Sequence, residues 1–574
     1  MKLASTLLVL AISSTAAAQA PGDLLWSTQL DGTMRASPVV GPDGSIYVAT
    51  FQDGGRLYRL EGATGTILVS RDLPGTVEVS VALGDNGLIY LNTLRTPMAN
   101  GQQADAVAAA YRADTLEEVW VSDTLYSGAD TSPILGRNNR VYLGVVAHPD
   151  DPGHPAGRYY SFDGLTGEAR IDMWLEGWAA CPGVIDEQGR VFFGVEDKQN
   201  GSYSGNTWPG VFYALTGEEA PDASGNGPLA WPPFYTPEGD FGSPVSYAEG
   251  VVYSTCRDGN LYGFDAETGN IEFTFDLDAP SWTGVTIGRH PVSGNLILYT
   301  GTQGVGNGGF GERTFYAIEL DGSFNGSLLW SYTGSDHYGF GNGALDDAGV
   351  IYVVSGLGRF LALDALTGAF LWMRSLPGGG GGTAGPMVDN NGAVIVTSSA
   401  GIIRAYKAEG NHLADDAPWP VYKHDLRGTA NVLSPIRDTV DVAKPYCTAT
   451  TNSSGEHGRM GFIGSASLGR DDATLVAGGC PANQFGIFYY GAAATEVPFG
   501  NGNRCVGGPF FRLTVSQVGA TGEVFRELDY AAPPSAGGQI TAGTTWYFQF
   551  WFRDQLGGGV GYDLTDGLEV TFGS

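Results

Sequence analysis

The apolar pattern of the chain is built on one unit, clearest at Gly358 to Trp372 (GRFLALDALTGAFLW). Phe360 to Asp364 alternate as a half-buried strand does, Thr367-Gly368 makes a tight turn, and Ala369 to Trp372 begin a second strand. The unit recurs as GNLYGFDAETGNIEF from Gly259 to Phe273, GRLYRLEGATGTILV from Gly55 to Val69 and RYYSFDGLTGEARI from Arg158 to Ile171. Weaker copies lie at Val211 to Gly217, Thr314 to Gly322 and Ile402 to Gly410, and the most degenerate at Ala108 to Trp120. Self-similarity at a period of about 40–50 residues, with several short strands in each, predicts a β-propeller.

Each repeat reads as four strands, A to D. Strand A opens on a small residue and a proline at Ser37-Pro38, Ser132-Pro133, Cys181-Pro182, Ser243-Pro244 and Gly385-Pro386. Degenerate starts at Ser80-Val81, Thr283-Gly284 and Gly343-Ala344 bring the count to eight. Strand B follows a turn such as Pro42-Asp43-Gly44 or Asp85-Asn86-Gly87, and the recurring unit supplies C and D. The eighth repeat ends at Gly410 with no strand D, yet Asp23-Leu24-Leu25-Trp26-Ser27 matches Ser327-Leu328-Leu329-Trp330-Ser331 of the sixth. The N-terminal strand is therefore expected to complete the eighth blade. The fold class is all-β, an eight-bladed propeller with no open edge.

Trp419 to Val432 (WPVYKHDLRGTANV) reads as a strap across the propeller rim, and 433–445 as a linker. From Tyr446 the repeats vanish, and alternation runs through Thr545 to Arg553 (TWYFQFWFR) and Gly567 to Phe572. Both phases of the first run are apolar, which predicts a central strand covered on both faces of a small antiparallel β-sandwich over 446–574.

Composition narrows the function. Only 16% of the 574 residues are charged, 88 are Gly, and the net charge of −31 is spread along the chain. Nucleic acid is not an expected partner, because phosphate binding needs a basic patch. The first 20 residues read as a secretory signal: Lys2, an apolar core from Leu7 to Ile12, and the cleavage site Ala18-Gln19-Ala20. No later run is long enough to cross a bilayer. A monomer exported to the periplasm or the medium is expected, beginning at Pro21.

DAETG at Asp265 to Gly269 and DALTG at Asp364 to Gly368, with SPVV at Ser37 to Val40, resemble the pyrroloquinoline quinone (PQQ) repeat. That repeat builds the eight-bladed propellers of quinoprotein alcohol dehydrogenases, a propeller lipoprotein of the outer-membrane barrel assembly machinery, and many secreted proteins with no cofactor. The resemblance covers about Leu24 to Val432. YCT at Tyr446 to Thr448, NQFGIFYYG at Asn483 to Gly491, VPFGNGNRCVGG at Val497 to Gly508 and FQFWFRD at Phe548 to Asp554 resemble a module that ends large secreted proteins of planctomycetes and myxobacteria. Cys447 and Cys505 stand in its best-matched parts, and Cys480 where its pattern has an apolar residue. The pairing this implies is Cys447–Cys505, with Cys480 a buried free thiol and Cys181 and Cys256 unpaired.

The resemblance also implies what quinone chemistry needs: a flat cofactor between a Trp and, typically, a disulfide of adjacent cysteines, a calcium held by Glu, Asn and Asp, and an Asp base. The five cysteines include no adjacent pair. No G-x-S-x-G elbow, H-E-x-x-H or Walker loop occurs. His148, Asp150, Asp151 and His154 read as a solvated loop, Gly301 to Gly311 as a flexible loop, and His424-Asp425 as backbone hydrogen-bonders. No catalytic residue, metal site or cofactor is therefore expected; a PQQ- and calcium-dependent oxidoreductase is the rival reading.

Four B–C connections are long, residues 93–106, 145–157, 196–210 and 302–313, and a propeller places them all on one face. The residues just before each strand A are expected to ring the channel mouth there: Arg35, Glu78, Asp130, Trp178, Phe241, Trp282, Tyr338 and Thr383. Such a ring suits a protein, peptide or glycan ligand. The alternative for Trp178, Phe241 and Trp282 is packing between blades.

Overall fold

The computed structural model describes residues 19–572 apart from 52–53, 96–105, 126–127, 129–130, 137–138, 147–156, 180, 197–209, 218–228, 237–238, 303–312, 335–341, 380–384, 438–442, 464–467, 469–472, 521, 531 and 542. The described residues contain no α-helix. None of their helices is long and apolar enough to cross a membrane. Residues 1–18 of the expected signal segment 1–20 lie outside the described residues.

Eight sheets share one antiparallel pattern, one for each repeat. Their innermost strands are Val39–Val40, Ala82–Leu83, Ile134–Leu135, Val184–Ile185, Ser246–Ala248, Thr286–Arg289, Ala344–Leu345 and Met387–Val388, each starting just after its small-residue motif. The strand Leu24–Gln29 pairs antiparallel with Ile402–Lys407, placing Trp26 opposite Ala405 and Gln29 opposite Ile402. The N-terminus thus supplies the missing outer strand of the last repeat. Apolar clusters then join neighbours without a break: the first and second repeats, the second and third, the third through sixth, the sixth and seventh, and the seventh through eighth to the first.

The recurring DxxTG sequence earns its conservation of form through two contacts. Asp364 Oδ1 accepts from both the N–H and the Oγ1–H of Thr367, at 2.8 and 2.7 Å, and Gly368 takes the left-handed φ of +70° that closes the turn. That glycine is also a seat. A Cβ on Gly368 would lie 2.7 Å from Trp330 Cδ2 of the preceding repeat, whose indole N–H donates to Ala365 O at 2.9 Å. Trp120 sits likewise against Gly167 and donates to Gly164 O, and Trp231 against Gly269, donating to Ala266 O. Trp26 closes the series on Gly65 and Gly62 of the first repeat.

The Trp419–Val432 segment lies deeper than a rim strap would. Its carbonyls accept from innermost-strand N–H groups of six repeats: Leu426 from Val40, Arg427 from Leu83, Thr429 from Leu135, Ala430 from Ile185, Trp419 from Ile287 and Pro420 from Leu345, all at 2.7–2.9 Å. Trp419 and Val421 are fully buried, and even Lys423, His424, Asp425 and Arg427 are at most 5% exposed. The physical reason is the short innermost strands, whose end N–H groups need acceptors that no fifth strand supplies. Asp425 accepts from the backbone N–H of Arg427 and Thr429 and from His424 Nδ1.

The remainder forms two sheets. One runs Ala443–Tyr446, Gly567–Thr571, Thr545–Arg553, Phe485–Phe499, Gly502–Gln517, with Tyr562–Leu564 also on Thr545–Arg553; the other runs Arg459–Ile463, Thr474–Gly478, Val524–Glu527. Trp546, Phe548, Phe550 and Phe552 bury one face of the central strand against Met460, Leu475 and Phe488. Its other face is less covered than expected: Gln549 is buried, but Tyr547 and Trp551 are only half-buried. Cys447 and Cys505 are joined by a disulfide, Cys256 and Cys480 are buried free thiols, and Cys181 is half-buried and in no disulfide among the described residues. Closing a loop of 58 residues contributes about 4 kcal/mol on the chain-entropy model.

Candidate functional site

The strap meets five of the six innermost strands at their last residue, so it closes the channel on the side of the A–B turns. Tyr422 extends this plug. Its hydroxyl lies 2.9 Å from Ser132 Oγ, and burial pushes its phenol pKa up. Around it the small residues that open strand A form a belt. Ser37 Oγ accepts the Gly385 N–H at 2.7 Å, Ser80 Oγ the Ser37 N–H at 2.8 Å, and Ser132 Oγ the Ser80 N–H at 3.0 Å. A small residue thus suits the place where neighbouring repeats crowd together, a serine there takes up its neighbour's N–H, and the following proline needs no acceptor for an N–H it lacks.

The opposite end carries the residues picked out by sequence. Arg35 lies over the Phe51 ring at 4.5 Å and 3.7 Å from Glu78, whose carboxyl pKa is raised by burial and held back by Arg35. Trp178 exchanges both backbone hydrogen bonds with Glu196, at 2.6 and 2.9 Å. Trp282 is half-buried, with the Arg257 guanidinium 3.2 Å from its ring centroid and its indole N–H directed at Asp240 Oδ1, 3.4 Å away. Arg257 also pairs with Asp240 at 3.0 Å. Asp130, Tyr338 and Thr383 lie outside the described residues, as do most of the four long connections.

Phe241 differs from the expectation. It is 0% exposed and packs edge-on against Phe212 and Tyr262, between the fourth and fifth repeats. Successive side chains of an extended segment point to opposite sides, so the apolar neighbour turns inward and Asp240 faces Trp282. Phe241 thus takes the alternative place, packing between blades.

Glu196, Asp240 and Arg257 were not singled out from the sequence. A methyl on Gly242 would stand 2.6 Å from Glu196 Oε1, 3.3 Å from Trp282 Cδ1 and 3.4 Å from Asp240 Oδ1, so two buried carboxylates and an indole converge on one bare stretch of backbone. Glu196 carried a signal: it is the charged end of an otherwise apolar strand, Val191–Glu196, buried throughout.

Repeats locked Trp to Gly, closed by the N-terminal strand and strapped at one end, define a PQQ-like β-propeller. A family model described as outer membrane protein assembly factor BamB matches residues 13–173 and 316–444, just over half of the chain, and the protein belongs to that family. Among solved structures, quinohemoprotein alcohol dehydrogenase ADHIIG from Pseudomonas putida HK5 is similar at 14% identity and TM-score 0.50, over 67% of this chain and 76% of that one. The quinohemoprotein alcohol dehydrogenase of Comamonas testosteroni is similar at 15% identity and TM-score 0.49, over the same shares. BamB from Moraxella catarrhalis is similar at 14% identity and TM-score 0.46, over 67% of this chain and 99% of that one. No curated protein matches the chain.

Proposed function

We propose that this is an exported, non-enzymatic binding or scaffold protein that takes a protein, peptide or glycan at the loop-bearing end of its channel. One observation carries the reading: strap and Tyr422 stop the other end, so among the described residues the end with Arg35, Glu78, Trp178, Glu196, Asp240, Arg257 and Trp282 is the one left uncovered. The family description, an assembly factor, is in keeping with a protein that works by holding partners.

A quinone fits this mouth badly. PQQ is a flat tricarboxylate, and the Trp282 face that could carry it is covered by Arg257. Its carboxylates would approach buried Glu196 and Asp240, and the Arg257 guanidinium there is already paired with Asp240. Cys181 and Cys256 are separate thiols, not a disulfide floor. No chemical step is therefore assigned to the site.

The test pairs peptide and glycan arrays, probed with the intact chain, with a titration of PQQ and calcium. The expected result is a ligand whose binding falls at least tenfold in Trp282→Ala and Arg35→Ala at unchanged melting temperature. The PQQ titration should give no saturable absorption change. Stoichiometric uptake with dye reduction on an alcohol would overturn the reading in favour of a quinone-dependent oxidoreductase.

A further inference from the structure

The C-terminal sandwich holds an arginine on the inner side of a strand, where an apolar residue would be expected. Val524–Glu527 ends the three-stranded sheet, and its alternation is plain: Val524 is 5% and Leu528 6% exposed, whereas Phe525 is 45% exposed. Arg526 therefore shares the inner side with Val524 and Leu528, and it stands opposite the fully buried Leu475. Beside it lies a cavity of about 60 Å³, walled by Tyr490, Leu513, Leu528, Pro533 and Ile540 as well as by Arg526. That is several times what one water needs and far below the size of drug-sized pockets, so it suits a guest of a few heavy atoms.

The guanidinium is not committed to the fold. Among the described residues the Arg526 side chain makes no hydrogen bond and no ion pair, and its Nε is buried without a partner. Two acids also line the cavity, but neither serves it. Asp529 Oδ1 accepts the Ala532 N–H at 3.0 Å, and Glu527, exposed and next in the strand, is directed to the outer side. An arginine stays charged at any pH the chain meets, and a charge turned toward the core without a counter-ion is costly. Its planar fork of N–H donors matches the two oxygens of a carboxylate. The walls then choose among anions, since Leu513, Leu528, Ile540 and Pro533 reward an alkyl group that phosphate and sulfate lack. Leu513 comes from Gly502–Gln517, which ends the larger sheet, so the cavity lies between the last strands of both sheets. A chain end entering it can lay its backbone along such an edge.

We infer that this cavity binds a carboxylate carried on a short apolar group, with the Arg526 guanidinium as its counter-ion. The group comes either on a free short-chain acid or at the C-terminus of a peptide that ends in a small apolar residue. Neither source uses the channel mouth, so the site stands or falls apart from the function proposed there.

Calorimetric titration of the intact chain with propionate, and separately with an N-acetylated Thr-Val-Ala peptide whose C-terminus is free, tests this. Saturable binding of at least one probe is expected, and none by propanol, by the amidated peptide or by inorganic phosphate at the same ionic strength. Arg526→Met should weaken binding at least tenfold at a melting temperature equal to or above the parent's, because the side chain holds nothing in the fold. Ala532 is exposed where it lines the cavity, so Ala532→Trp folds even where the Arg526 variant does not. It should block the cavity and weaken binding likewise with the charge intact. Binding of propionate alone identifies a free-acid site, and tighter binding of the peptide identifies a chain-terminus site. No saturable binding of either probe, equal binding of phosphate, or binding indifferent to both substitutions overturns the inference.

Discussion

A chain lacking residues 21–31 is expected to aggregate or to melt about 10 °C or more below the intact protein. The segment holds the outer strand Leu24–Gln29 and the nine-tenths-buried Trp26, whose indole N–H donates to Gly62 O at 2.8 Å. Loss of a buried Trp alone costs about 3–5 kcal/mol. Here the strand's pairing with Ile402–Lys407 goes with it, as does the apolar cluster that joins the seventh, eighth and first repeats. The edge left bare is a template for other chains. Trp26→Ala should give a smaller loss in the same direction. A deletion that melts at the temperature of the intact chain would show that the ring is held closed by something other than this strand.

Closure was legible in the chain because it rests on a local pattern, LLWS at the start matching LLWS in the sixth repeat. So were the eight starts of strand A, which need a small residue wherever neighbouring repeats crowd. The strap was harder to read. Its polar residues suggested surface, but Lys423, His424, Asp425 and Arg427 are buried by long-range backbone bonds that leave no periodic trace. The mouth was legible in part. Arg35 and Trp282 precede their strands, whereas Glu196 and Arg257 arrive from the ends of other strands, and Asp240 sits beside Phe241, whose apolar side chain turns inward. Side-chain direction within an irregular loop depends on φ and ψ, which residue type alone does not dictate.

Lys423→Met is expected to stabilise the protein by roughly 2–4 kcal/mol at pH 7 and to flatten its stability between pH 7 and 10. Lys423 is 3% exposed, and its Nζ reaches Val81 O at 3.3 Å. Burial lowers its pKa from 10.5 to about 7, against the pull of Asp425. The unfolded chain therefore keeps a proton up to about pH 10.5 that the folded chain releases near pH 7. Between those values the unfolded state binds more protons, so stability climbs with pH. Below about pH 7 both states are protonated and the burial cost stands in full, on the order of 5 kcal/mol. Methionine fills similar space and carries no proton to lose. Denaturant melts of both proteins at pH 6, 8 and 10 check this; a variant with the parental slope, or one less stable at pH 7, would refute it.

The Trp-to-Gly seating between repeats also sets an order in time. Leu24–Gln29 is made first, yet its neighbours around Ala400 and Gly401 lie some 371 residues further on. At roughly 5–20 residues per second, the ribosome needs tens of seconds to deliver that partner. Throughout that wait Trp120, Trp231 and Trp330 can seat on the repeats that follow them, and Trp26 on the first repeat, while the strand Leu24–Gln29 has no partner to pair with. The slot in the last repeat cannot tell its own strand from one on another molecule. Strand exchange between half-finished rings is thus the natural misassembly of this fold. Its signature is a linked dimer that forms on refolding at high concentration and not at low.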